Sequence, residues 1–345
     1  MSIGQKRALL RERADKLQQQ GRYDEAIIPA TELVELERAI SGSDSFDYAL
    51  SLQNLAFLCK KVDKFKAAEP RYHQALDIYR RTVGEQSLDY ATTLNNLALL
   101  YTSTSEYPTA KAHFRQALQI LSVTVGQESH YYARTLKSFA GLYDDLGDYR
   151  TAAMLYRSAR DILRETLGED HPLYVDTLDA LGWVYHHMGN YKAALPLHRQ
   201  SLNIKRESLG EQHSSYATSL NNLATLYHDM GDYKAAEPLY REARDIYRET
   251  LGERHPLYAA SVNNLAGLCR DLGDYKAAEQ LYREALNVYR KPSANSTLTM
   301  RIVSSTSQSF TITWAISRSP FPFTVKPSTS FEKRLASGIL VTPQV

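Results

Sequence analysis

Cysteine is nearly missing from this chain: only Cys59 and Cys269 occur in 345 residues. Neither a disulfide framework nor a four-thiolate zinc site can be assembled from two thiols. Long apolar runs are missing too, for no stretch approaches the roughly 20 apolar residues of a membrane span. The opening MSIGQKRALLRER also lacks the apolar core of a secretory signal. These absences predict a cytoplasmic protein without a membrane partner. An excess of charge of one sign is lacking as well, the net charge being +2. That figure conceals an asymmetry, because residues 291–345 hold six Lys or Arg against one Glu, whereas the remainder holds 35 basic and 38 acidic residues. A body that is slightly acidic is a poor phosphate-binding surface, which argues against nucleic acid. No phosphate-cradling glycine loop, nucleophile elbow or paired Ser and His arrangement is found, so the expectation is a non-enzyme with no cofactor and no metal.

What the chain has in abundance is itself. Gly42, Gly84, Gly126, Gly168, Gly210 and Gly252 recur every 42 residues, and so do Tyr48, Tyr90, Tyr132, Tyr174, Tyr216 and Tyr258. A fixed period of this size signals a repeat array. A third column, Ala26 to Ala278, adds a seventh and degenerate unit at the front. The units are 5–42, 43–84, 85–126, 127–168, 169–210, 211–252 and 253–290.

Within one unit the apolar spacing predicts two helices. Leu220, Leu223, Ala224 and Tyr227 follow i, i+3, i+4 and i+7, a stripe on one face of a first helix. "MGDY" then interrupts it, with Gly231 suited to the left-handed conformation and Asp232 to capping the next helix. Tyr233, Ala236, Tyr240, Ala243 and Tyr247 form the second stripe, in which alanines allow close approach and tyrosines fill the gaps. Pro70, Pro196 and Pro238 share a slot inside the second helix, where each removes one backbone hydrogen bond.

The segment "TSLNNLATLYHDMGDYKAAEPLYREARDIYRETLGERHP" (218–256) and its cousins at 92–130 and 260–290 resemble tetratricopeptide repeats, in the 42-residue form found in kinesin light chains. The resemblance covers residues 5–290. It implies an all-α fold: a right-handed superhelical solenoid of seven antiparallel helix pairs, whose first helices line a concave groove that takes a peptide or partner protein. Kinesin light chains carry a heptad coiled coil before their repeats; here the first repeat already occupies 5–42, which argues against a motor-subunit role.

Two neighbouring slots on the first helix are polar in most repeats. One holds Gln53, Asn95, Lys137, Asp179, Asn221 and Asn263; the next holds Asn54, Asn96, Ser138, Ala180, Asn222 and Asn264. Both lie off the apolar stripe, the second about 200° from Leu220 at 100° per residue. With first helices about 8–10 Å apart and an extended peptide rising about 3.3 Å per residue, one amide meets about every third peptide residue. Two readings fit these asparagines: they grip a peptide backbone, or they bridge neighbouring helices. The ladder breaks in repeats four and five, where Arg134, Lys137, Asp176, Asp179 and Trp183 stand instead. Trp183 reads either as an anchor for a partner's apolar side chain or as packing between repeats. Lys60 and Lys61 read as solvated charge, and Cys59 and Cys269 as small core residues in a tyrosine column. His171, His213 and His255 fall in the loop after "LGE", twice before a proline that suits the first turn of a helix.

After Arg290 the helical period stops. The Ser, Thr and Pro-rich basic tail at 291–345 is expected to be disordered for lack of apolar burial, although Phe310, Ile312, Trp314 and Ile316 alternate like one short strand with no sheet to join. It reads as a groove ligand in cis or as the product of a shifted reading frame. The function expected is an interaction scaffold for a peptide or partner protein; the alternative is a sensor array acting with a nucleotide-switching or protease domain on another chain. Oligomeric state is not legible from these residues.

Overall fold

The computed structural model describes residues 2–290, together with three strands beyond them. It divides into two compact units, residues 1–194 and 195–345.

In the first unit, nine helices alternate as the two-stripe pattern requires. They are α1 (Ile3–Gln19), α2 (Tyr23–Ser41), α3 (Phe46–Lys61), α4 (Phe65–Thr82), α5 (Leu88–Ser103), α6 (Tyr107–Thr124), α7 (His130–Asp145), α8 (Tyr149–Leu167) and α9 (Pro172–His187). α1, α3, α5 and α7 each pair with the helix that follows, and α3, α5, α7 and α9 also touch in succession. The result is a layer of first helices beside a layer of second helices. The core between them includes Ala68, Tyr72, Ala75 and Tyr79 from α4 and Ala110, Phe114, Ala117 and Leu121 from α6, all fully buried. Zero-exposure alanines let the backbones close up, and each buried aromatic contributes about 1.5–3 kcal/mol of apolar burial.

The chain continues through α10 (Tyr191–Leu209). In the second unit follow α11 (Ser214–Asp229), α12 (Tyr233–Leu251), α13 (Pro256–Asp271) and α14 (Tyr275–Arg290), again packed as helix pairs. Of the stripe read from the sequence, Ala236, Tyr240, Ala243 and Tyr247 are buried and Tyr233 is half-buried, with Ile246 buried beside them. The turn chemistry also follows the reading. Gly231 has φ of +79°, and the Asp232 side chain accepts from the Ala235 amide at 3.2 Å. The slot of Gly231 is filled in two repeats by Asp63 and Ser105, which take the same left-handed conformation at φ of 59° and 64°. Pro70, Pro196 and Pro238 lie inside α4, α10 and α12, and Pro29 inside α2 adds a case the spacing did not indicate.

α10 departs from this pattern. At the core positions of Tyr240, Ala243 and Tyr247 it presents His198, Ser201 and Lys205, each at most 8% exposed. Lys205 Nζ donates to Ser219 Oγ at 2.9 Å, and the Ser201 and Ser219 hydroxyls lie 3.3 Å apart. From this helix Leu197 is buried and Leu202 packs half-buried against the apolar cluster around Tyr216 and Tyr247.

Beyond Arg290, β1 (Leu298–Val303), β2 (Thr311–Ile316) and β3 (Phe323–Val325) form an antiparallel sheet in that order. The single strand expected over 310–316 is therefore β2, and it pairs along both edges. The disorder expected elsewhere in the tail lies outside the described residues. Among the described residues no helix is long and apolar enough to cross a membrane.

Candidate functional site

The first helices are held in register by their N-caps. In repeats two to four Ser45, Ser87 and Ser129 accept from the amides of Tyr48, Tyr90 and Tyr132 at 3.2–3.3 Å. In repeats five to seven the same slot holds histidine. Nδ1 of His171, His213 and His255 accepts from the amides of Leu173, Ser215 and Leu257 at 3.1–3.2 Å. The sequence reading explained these positions by the adjoining prolines; the imidazoles are in fact the caps. Only the neutral ring with its proton on Nε2 can serve, and burial pushes the His255 imidazole below its usual pKa, favouring that form.

On the first-helix face of the first unit, Asn54 is exposed, Asn96, Arg134, Lys137 and Trp183 are half-buried, and Asn95 and Asp179 are buried. Gln53 Oε1 receives Tyr79 OH at 3.2 Å and Thr93 Oγ1 at 3.0 Å, so it joins α3 to both α4 and α5. One repeat later Leu121 replaces that tyrosine. Asn95, 2% exposed, is left with an Oδ1 that accepts no hydrogen bond from any described residue. Across the next interface Lys137 Nζ pairs with Asp176 Oδ2 at 3.2 Å. The Arg134 guanidinium lies 5.7 Å from the Tyr131 ring, its Nε without a partner and its pKa lowered by burial. Trp183 meets His186 and His187 edge-on at 5.0 and 5.1 Å, and His187 stacks on Tyr149 at 5.3 Å.

In the second unit Asn221 and Asn222 are each 7% exposed, while Asn263 and Asn264 are half-buried. Asn264 Nδ2 donates to Asn221 Oδ1 at 3.1 Å, and His228 Nε2 lies 2.9 Å from Asp271 Oδ2; both contacts link α11 to α13. The Asn222 carboxamide nitrogen donates to no group among the described residues.

Several groups on this face were missed or misread from sequence. Lys60, taken as solvated, is half-buried, and burial with the nearby Lys61 pushes its amine down to about 8. Asp144 occupies the same slot two repeats on, and burial followed by the charge of Asp145 pushes it up to about 7. The available signal was the slot, which holds Lys60, Thr102, Asp144, His186, His228 and Arg270. Cys59 and Cys269 are buried, as read. Among the described residues no three His, Cys, Asp or Glu side chains converge as a metal site would require.

Comparison with known proteins agrees with this geometry. The Tetratricopeptide repeat family model matches six overlapping stretches, 6–81, 48–122, 89–165, 131–207, 187–249 and 215–291. Among solved structures, BtubC (BKLC) from P. vanneervenii is 20% identical at a TM-score of 0.57, covering 71% of this chain and 99% of its own. A Podospora anserina putative kinesin light chain with nearly identical TPR-like repeats is 22% identical at 0.52, covering 59% and 95%. The Rap conjugation gene regulator of plasmid pLS20, in complex with the Phr* peptide, is 15% identical at 0.59, covering 80% and 72%. No match is found among curated protein sequences. With helix pairs at a 42-residue period and family matches running from residue 6 to residue 291, the chain belongs to the tetratricopeptide repeat family.

Proposed function

We propose that the chain is a cytoplasmic, non-enzymatic interaction scaffold that binds an extended peptide segment of a partner protein, and not nucleic acid, across its first helices. The observation that carries this reading is Asn95. Its Oδ1 is buried on the first-helix layer and accepts nothing, and an unpaired buried acceptor costs about 1–3 kcal/mol. A peptide amide supplies the missing donor without reading sequence, which suits a backbone grip. The unpaired Nε of Arg134 on the adjoining helix asks for an acceptor in turn. The fold likeness to a protein solved with the Phr* peptide supports a peptide as the occupant.

The test is selection of a displayed random nonapeptide library on the full-length chain, followed by titration of synthetic winners. Asn95→Ala is expected to weaken winners at least fivefold while leaving helicity intact. Failure to enrich any peptide, or winners indifferent to Asn95→Ala, would overturn the reading.

A further inference from the structure

The peptide reading leaves open what the peptide must carry, and the slot shared by Lys60 and Asp144 addresses it. α3 ends with Lys60 and Lys61, α5 with Thr102 and Ser103, and α7 with Asp144 and Asp145. α5 lies between the other two, touching both. Two neighbouring charges are engaged: Lys61 Nζ sits 5.4 Å from the Phe57 ring and 5.8 Å from the Tyr23 ring, and Lys137 pairs with Asp176. Lys60 and Asp144 are different. Both side chains are half-buried, and neither has a hydrogen-bond or ion-pair partner among the described residues. A desolvated charge without a partner is unfavourable until an opposite charge arrives.

Space is left beside Asp144. Gly141, one turn earlier, occupies the slot that Phe57, Leu99 and Trp183 fill elsewhere. A Cβ placed there would meet only Tyr156 OH at 3.5 Å. On α5, between the two charges, the same slot holds Thr102, and Asn95 stands seven residues before it.

We infer that the bound peptide carries an acidic side chain that meets Lys60 and a basic side chain that crosses Gly141 to meet Asp144, about five or six residues apart. The spacing follows from two inter-repeat steps of about 8–10 Å each and an extended rise of about 3.3 Å per residue. The inference rests on the peptide reading and narrows it to an occupant of mixed charge. Its acid and base recover the interaction energy that the two desolvated groups forgo in the free protein.

The displayed nonapeptide library provides the test. Winners are expected to carry Asp or Glu and Lys or Arg five or six positions apart. Lys60→Met should weaken a synthetic winner at least tenfold, and replacing the winner's acid by its amide should cause the same loss, with no further loss when the two changes are combined. Asp144→Asn and replacement of the winner's base by Met should behave alike. Circular dichroism checks that each variant keeps its helices. Winners that lose affinity on Asn95→Ala yet ignore Lys60→Met and Asp144→Asn would overturn this inference and leave the peptide reading standing. An absence of any winner sensitive to Asn95→Ala would remove both.

Discussion

Asn264 Nδ2 donates to Asn221 Oδ1 at 3.1 Å, tying the first helix of one repeat to the first helix of the repeat before it. The two residues are 43 positions apart, one more than the period, so the bond runs between the two polar slots rather than along one. Asn221 is buried, and removing its donor strands a carboxamide oxygen. Asn264→Ala should therefore cost about 1–2 kcal/mol, and a double-mutant cycle with Asn221→Ala should show coupling of about 0.5–1.5 kcal/mol. Urea denaturation of the four proteins measures both figures. Additive losses would mean that the bond holds nothing in solution.

His255 makes stability depend on pH. Its folded pKa lies below the unfolded value of about 6.5, because burial disfavours the imidazolium. The unfolded chain then binds more protons, so stability rises with pH. The contribution is full above about pH 6.5 and is lost as pH falls through the depressed folded value, when the cap on the Leu257 amide is lost as well. His255→Ser, which installs the cap of repeats two to four, should flatten the acid limb of a melting-temperature profile between pH 7.5 and 5. An unchanged limb would show that the cap does not titrate there.

The polar stripe of α10 sets the local stability of its repeat. Replacing His198, Ser201 and Lys205 by the residues of repeat six, as His198→Tyr, Ser201→Ala and Lys205→Tyr, should stabilise the protein by about 1–2 kcal/mol. It should also slow amide exchange in α10 and α11. The converse change, Tyr240→His with Ala243→Ser and Tyr247→Lys, should loosen α12, whose Tyr247 OH lies 2.8 Å from Thr218 Oγ1. Equal exchange rates in α10 and α12 of the natural chain would contradict this account.

Ser105 adopts φ of 64° at a turn where five other repeats use glycine. A left-handed residue with a Cβ is strained by about 1–2 kcal/mol. Ser105→Gly should raise the denaturation midpoint, gaining about 1 kcal/mol after the greater entropy of the unfolded glycine is counted. A lower midpoint would locate a compensating contact at the Ser105 side chain.

Much of the fold was legible because its signals are local and repeated. Leu220, Leu223 and Ala224 mark a helix face by spacing alone, and Gly231 with Asp232 marks the turn; seven repetitions average out an irregular unit such as the first. The candidate site was legible only in outline. Its slots could be found from the period, but the state of each residue depended on partners about 40 positions away. Asn95 and Gln53 occupy the same slot, yet one is unpaired and the other doubly bonded, because Tyr79 gives way to Leu121 on the second helix. Lys60 looked solvated for a similar reason, since burial on a stacked layer is set by neighbouring repeats.

The sequence by itself determined the period, the helix pairs and the family, since these follow from apolar spacing and turn residues within one unit. Only the tertiary structure decided which asparagines join repeats and which stay unpaired, that histidines cap three of the helices, and that Lys60 and Asp144 stand half-buried without partners among the described residues. The physical reason is that hydrogen bonding and desolvation belong to surfaces brought together across repeats, and no single repeat encodes its neighbour's side of the contact.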